Sequence, residues 1–299
     1  MEVFFVRRKS PENSEKRDEN MYFESEIIRS RQNKNLVELC KLTDRKARQA
    51  GRVFRFDGIK LLYEAATKGV DIEMIVVSEA IDGDVLARVR ALVECGSIAR
   101  EKIIYVSEQV FEKMSEESAP EGVITVARFI DEGHREIADV EDYRIERTER
   151  MLLAESLRDP GNLGTVIRTS AALGIDRLII TDDCADLYNP KTVRAAMGGL
   201  FSLKIDVVRT AELPTLMRTL ESDGRRIYAA ALTDNAQSIG DIELSRGDAF
   251  LIGNEGHGLS EQAILAASGV AIIPMTKGSE SLNAAAAAAI CIWETVRVK

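Results

Sequence analysis

The sequence predicts an α/β protein: a C-terminal domain built on a doubly wound parallel sheet, preceded by a smaller α/β unit. Helical periodicity alternates with short strands twice along the chain. The strands of the second run, such as those in MLLAESL, RLIITDD and DAFLIG, are apolar and rich in Val, Ile and Leu, the pattern of a sheet buried on both faces. Between the two runs, residues 131–150 are charged and weakly periodic.

Residues 1–29, polar around SPENSEKRDEN, read as a poorly ordered extension. The first unit spans residues 30–130. NLVELCKLTDRKARQAG has apolar residues at helical spacing and closes on Gly51, a C-cap signal. VFRFDG is a strand ending in a turn, IKLLYEAATKG a helix, MIVVSE a buried strand and VLARVRALVECG a helix. KIIYVS, EQVFEKMSE and GVITVARF follow as strand, short helix and strand. Residues 131–150 are a linker, or an edge element next to one. The second unit, residues 151–299, opens with the strand MLLAESL and the helix GNLGTVIRTSAALG, ended by Gly174. It continues as strand RLIITDD, helix TVRAAMGGL, strand LKIDVVR, helix LPTLMRTLESDG and strands RIYAAAL and DAFLIG. Helix SEQAILAAS, strand VAIIPM and an alanine-rich helix opened by Asn283 complete it. Ligands of such a sheet lie beyond the carboxyl ends of its strands.

At 299 residues, 45% hydrophobic and 30% charged, the chain has the make-up of a soluble protein of two domains. No apolar run approaches the roughly 20 residues that span a bilayer. The basic residues of MEVFFVRRKS follow only a very short apolar run, unlike a secretory signal. The four cysteines, Cys40, Cys95, Cys184 and Cys291, form no CxxC pair, which argues against zinc or a disulfide framework and suits a reducing cytoplasm. With only His134 and His257 present, His-rich metal sites are excluded and one candidate histidine base remains, His257.

The net charge of −9 argues against a general nucleic-acid binder, but charge is unevenly spread. Residues 27–60 carry ten basic side chains against three acidic ones, a local excess of about +7. Arg31, Lys34, Lys41, Arg45, Lys46 and Arg48 are the candidates for contact with an anionic partner; a solvated helix face is the plainer alternative.

Three loops, each after a predicted strand, carry the candidate chemistry. In RDPGNLGTVIRTS, Pro160 and Gly161 make a turn, Asn162 suits an N-cap, Gly164 permits close backbone approach, and Arg168 follows about a turn and a half later. In LIGNEGHGLSEQ, three glycines let backbone N–H groups face a ligand, Glu255 is the one carboxylate inside the turn, and Ser260 with Glu261 marks a helix start. In IPMTKGSESLNAAAAAAI, the functional weight falls on Ser279, Ser281, Leu282 and Asn283, while the alanines serve tight helix packing. Neither GxxxxGK[ST] nor GxGxxG occurs.

Taken together and in this order, NLGTVIRTSAALG, LIGNEGHGLS and IPMTKGSESLNAAAAAAI resemble the three signature motifs of the SpoU (TrmH-like) family of RNA ribose 2′-O-methyltransferases, a branch of the SPOUT superfamily. The first unit, through RSRQNKNLVELCKLTDRKARQAGRVFRFDGIKLLYEA and APEGVITVAR, is similar to that family's L30e-like substrate-binding domain. Asp57–Gly58 stands where the family more often has Glu-Gly.

The resemblance implies a deep trefoil knot in the C-terminal domain, pairing as a homodimer through that domain, and S-adenosylmethionine as cofactor. It implies a cofactor pocket formed by Leu232, Thr233, Gly253, Asn254, Gly256, Ile273, Met275, Ser281 and Leu282. It assigns catalysis to Arg168, oriented by Asn162, with Glu255 and Asn283 positioning the arginine or the ribose. An arginine above pKa 12 is a poor base, so clamping a phosphate and stabilising the developing alkoxide is the physically simpler role. The chemistry needs no metal. Ribosomal RNA is the expected substrate, in the cytoplasm, with transfer RNA or an inactive RNA-binding relative as alternatives. A nucleotide-dependent oxidoreductase is opposed by the missing GxGxxG.

Overall fold

The computed structural model describes residues 27–254, 256–276 and 281–298. Most of the extension expected at residues 1–29 therefore lies outside the described residues. Ile28, expected within it, pairs with the first unit: its N–H donates to Tyr105 O (2.9 Å) and its carbonyl accepts from Ser107 N (3.1 Å).

The stretch expected as one helix forms two, α1 (Lys34–Lys41) and α2 (Arg45–Gly51). Asp44 breaks it by taking an extended conformation and accepting from Lys46 N at 2.8 Å, a local bond that competes with helix propagation. The left-handed cap falls on Arg52 (φ 50°), one residue beyond Gly51. Strands β1 (Val53–Asp57), β2 (Ile72–Ser78), β3 (Ile103–Val106) and β4 (Val123–Arg128) alternate with α3 (Ile59–Thr67), α4 (Gly83–Glu94) and α5 (Glu108–Met114). They form a sheet ordered β1-β4-β2-β3, in which β4 runs antiparallel to β1 and β2, placing Phe54 opposite Ala127 and Phe56 opposite Thr125.

The charged stretch after it supplies β5 (His134–Glu136), an edge strand parallel to β8 (Lys204–Val208) in the second sheet. That sheet continues with β6 (Met151–Ala154), β7 (Arg177–Thr181), β9 (Ile227–Ala230), β10 (Gln237–Ser238), β11 (Ala249–Ile252) and β12 (Gly269–Ile272). Its order is β10-β12-β9-β11-β6-β7-β8-β5, and all seven pairings between these strands are parallel. Every residue of β6, β7 and β11 is buried, as two covered faces require. The helices are α6 (Pro160–Leu173), α7 (Pro190–Ala196), α8 (Leu213–Ser222), α9 (Glu261–Ala266) and α10 (Ala284–Arg297). Gly164 lets α6 and α7 touch: a Cβ there would lie 2.5 Å from Thr192 O and 2.6 Å from Ala195 Cβ.

The two units share one core, in which Phe54, Phe56 and Ala127 of the first pack with Leu152, Tyr188 and Phe201 of the second. Phe129 stacks on Tyr188 at 4.0 Å. The Tyr188 hydroxyl accepts from Ile130 N (2.8 Å) and bonds His134 Nδ1 (2.8 Å). Arg48, wholly buried, pairs with Asp186 at 2.6 Å across the same joint and donates to the Leu42 and Thr43 carbonyls. No helix among the described residues is long and apolar enough to cross a membrane.

Candidate active site

Strand order reverses around β6, with β7 on one side and β11 on the other. Such a switch point opens a crevice at the carboxyl ends. Asn254, just after β11, donates from Nδ2 to Ser156 O (2.8 Å), just after β6. Its Oδ1 accepts from Gly256 N (2.8 Å) and His257 N (3.2 Å), and its backbone exchanges two bonds with Gly258 (3.1 and 3.0 Å). Gly253 cannot carry a side chain, because a Cβ would lie 2.5 Å from Gly258 C. On the far side of this turn, buried Glu155 accepts from Ser260 N (2.8 Å) and Ser260 Oγ (2.6 Å), while Ser260 caps α9. The glycine turn is thus fastened at both ends to the two residues that follow β6.

Asp159, rather than Asn162, caps α6: its carboxylate accepts from Asn162 N at 2.7 Å, with Pro160 at the first helical position. Asn162 sits inside the first turn, and its Oδ1 accepts from Asn283 Nδ2 at 3.0 Å. Asn283 caps α10 with its own Oδ1, accepting from Ala285 N (2.9 Å) and Ala286 N (3.3 Å). The first and third sequence motifs therefore meet through one amide pair. Arg168 lies six residues past Asn162, about 9 Å along the axis and about 120° around it. Its side chain is exposed and has no hydrogen-bond partner among the described residues. A Cβ on Gly199, in the 3₁₀ turn Met197–Phe201 after α7, would lie 3.1 Å from Arg168 Cα. Glu255 and Ser279 lie outside the described residues. His257 is exposed, and its N–H serves the turn.

Beyond the ends of β9 and β12 lies a cavity of about 130 Å³. Leu232, Ile273, Met275, Ser281 and Leu282 line it, with Ala230, Ala271 and Ala287. Thr233 is exposed in the loop after β9, and Gly253, Asn254 and Gly256 belong to the neighbouring turn instead of the lining. Among the described residues, the lining offers apolar side chains and strand-end backbone groups but no Lys or Arg. That donor set fits a nucleoside ring without phosphates, held through its hydrogen-bonding edge. Leu232 is 61% and Leu282 40% exposed, apolar surface that a ring in the cavity would cover. No group of three or more His, Cys, Asp or Glu able to hold a metal occurs among the described residues.

Of the basic candidates, Arg31, Lys34, Lys41, Arg45 and Lys46 are exposed, Lys41 pairing with Glu38 at 2.7 Å. Arg48 is the exception: only 1% exposed and ion-paired, it holds the two units together and cannot reach a phosphate.

Comparison with known proteins places this geometry. Residues 149–293 match the SpoU rRNA methylase family, and residues 33–125 match the MRM3-like substrate-binding domain. The 23S rRNA (guanosine(2553)-2′-O)-methyltransferase RlmP of Bacillus subtilis is 31% identical over 268 residues, 89% of this chain and 97% of that protein. The chain belongs to the SpoU rRNA methylase family. Another similar SpoU relative, the 23S rRNA (uridine(2479)-2′-O)-methyltransferase of Streptomyces viridochromogenes, is 30% identical over 203 residues, covering 67% of this chain and 69% of that one. The crystal structure of AdoMet-bound rRNA methyltransferase from Sinorhizobium meliloti superposes with a TM-score of 0.75 at 27% identity, covering 91% of this SpoU chain and 98% of that chain.

Sequence reasoning missed Glu155, Ser156, Asp159 and Asp183. For Asp159 a signal existed, since an Asp-Pro pair is a cap followed by proline at the first helical position. Glu155, Ser156 and Asp183 act through bonds to distant segments, which no local pattern announces.

Proposed function

We propose that this SpoU-family chain transfers a methyl group from S-adenosylmethionine to a ribose 2′-hydroxyl of ribosomal RNA. The observation that carries the reading is the Asn162–Asn283 bond, which draws the helix bearing Arg168 to the segment carrying Ser281 and Leu282 beside the apolar cavity. The cofactor, when bound there, supplies a methyl group already activated by its sulfonium. The chain's own part is alignment and charge. Strand ends and apolar side chains around Leu232, Ile273 and Leu282 would hold the adenine, with the turn built on Gly253, Asn254 and Gly256 beside them. Arg168 clamps the phosphate next to the target ribose and stabilises the oxyanion forming at O2′ as the hydroxyl proton passes to solvent. Asn162, Asn283 and Glu255 position these groups.

Ribosomal RNA is favoured over transfer RNA because RlmP, the relative matched over 97% of its length, is named for 23S rRNA. Exposed Arg31, Lys34, Lys41, Arg45 and Lys46 would receive RNA phosphates. The threading expected of the family is supported by strand order: β12 inserts between β9 and β10, which precede it consecutively in the chain, while α10 packs back on α6 and β11. Pairing of two copies through this domain would cover Trp293 of α10, 56% exposed. The setting is the cytoplasm. Replacing Arg168 with Ala tests the assignment: cofactor binding should persist in calorimetry while methyl incorporation falls about 100-fold or more. Near-normal turnover would reject it.

A further inference from the structure

Just after β7, the carboxylate of Asp183 draws hydrogen bonds from four side chains. Ser156 has a left-handed backbone (φ 57°), a strained conformation for a residue with a Cβ unless its surroundings fix it. Those surroundings converge on Asp183. Its Oδ2 accepts from Ser156 Oγ (2.6 Å) and Arg158 Nη2 (3.1 Å), and its Oδ1 accepts from Thr181 Oγ1 (2.7 Å) and shares the Thr210 hydroxyl (3.0 Å) with Asp182 (2.7 Å). Thr181 Oγ1, oriented by that bond, accepts from Ser156 N at 2.8 Å. Both the side chain and the amide of Ser156 are thereby fixed, and its carbonyl is left aimed at Asn254 Nδ2 (2.8 Å).

We propose that Asp183 is a positioning residue for methyl transfer: by locking Ser156 in the left-handed conformation it sets Asn254 and, through Asn254 Oδ1, the amides of Gly256 and His257 that shape the turn beside the cofactor cavity. Burial alone would raise the Asp183 carboxyl; the bonds from Ser156, Thr181, Arg158 and Thr210 hold it down at about 2, so it stays ionised and accepting throughout the working range. The inference rests on the methyltransferase reading for its catalytic meaning but not for its structural content.

Two readouts keep these apart. Hydrogen exchange of the cofactor-free protein follows the Gly256 and His257 amides, whose acceptor is Asn254 Oδ1. Calorimetry with S-adenosylmethionine follows the cavity. Asp183→Ala should speed exchange at both amides about tenfold and weaken cofactor binding by a similar factor. Ser156→Gly, which needs no lock to reach a positive φ, should leave both near the parent values. In the Ser156→Gly background, Asp183→Ala should lose most of its effect. Asp183→Asn, which keeps the shape but turns one acceptor into a donor, should resemble Asp183→Ala. Unchanged exchange in Asp183→Ala, a defect undiminished by Ser156→Gly, or failure of the Asp183 variants to fold in both backgrounds would each overturn the proposal. A parent protein that shows the exchange pattern but binds no S-adenosylmethionine would refute the functional reading and leave the positioning role standing.

Discussion

Asn162 and Asn283, 121 positions apart, share a 3.0 Å hydrogen bond in which Asn283 donates its amide to Asn162 while its carbonyl oxygen caps α10. One side chain thus does two jobs with its two ends. Asn283→Asp separates them: the carboxylate still caps the helix but can no longer donate to Asn162. Its thermal midpoint should stay near the parent's, while cofactor affinity and methyl transfer fall. Asn283→Ala loses both and should also cost about 1 kcal/mol in denaturant unfolding. Equal activity in the parent and Asn283→Asp would show that the amide pair is incidental.

The buried Arg48–Asp186 pair predicts a division of labour among the basic residues of α1 and α2. Arg48→Ala strands Asp186 at the joint and should cost about 3–5 kcal/mol of stability. Among variants that remain folded, it should leave the salt dependence of RNA binding unchanged. A shallower salt slope for Arg48→Ala at unchanged stability would return it to the RNA surface.

Arg45→Ala and Lys46→Ala should behave in the opposite way. Both side chains are exposed, so stability should move by less than about 0.5 kcal/mol. Each should lower the slope of log affinity against log salt by about one if it meets a phosphate. Filter binding from low to high salt reads this directly, and parallel lines for parent and variants would remove this face from the interface.

Much of this was legible in the sequence, for identifiable reasons. The strands β6, β7 and β11 are unbroken apolar runs because both faces are covered, and Gly174 marks the end of α6 because only a residue free at positive φ fits there easily (φ 83°). Cavity residues Leu232, Ile273, Met275, Ser281 and Leu282 were reachable because they follow strand ends in recognisable motifs. Arg48 was misread because local charge does not reveal an acid 138 positions away. Asn162 was misread as a cap because Asp159 and Asn162 are both good capping residues and only the helix start decides between them. Ser156 gave no warning at all: serine has no preference for the left-handed region, and its conformation is imposed by Asp183 and Thr181.

The joint between the units should also respond to pH through His134. Burial holds this imidazole neutral, with a pKa lowered to about 4, beside the Tyr188 hydroxyl. Between pH 6.5 and 4 the unfolded chain takes up a proton there that the folded chain refuses, so stability should fall as pH falls through that window. The contribution is at most on the order of 3 kcal/mol. His134→Gln should flatten that part of the profile in denaturant unfolding at a series of pH values. A variant whose curve keeps the parent's slope would locate the acid sensitivity elsewhere.

Methyl transfer to a ribose oxygen of ribosomal RNA is decided by the position of the transferred label. Purified protein, methyl-labelled S-adenosylmethionine and unmodified ribosomal RNA are incubated, and the RNA is then hydrolysed in alkali. A 2′-O-methyl group blocks cleavage at its own phosphodiester, so the label should appear in alkali-resistant dinucleotides and disappear with Arg168→Ala. Label recovered only in mononucleotides, as base methylation gives, or no label transferred by a protein that binds the cofactor, would contradict it.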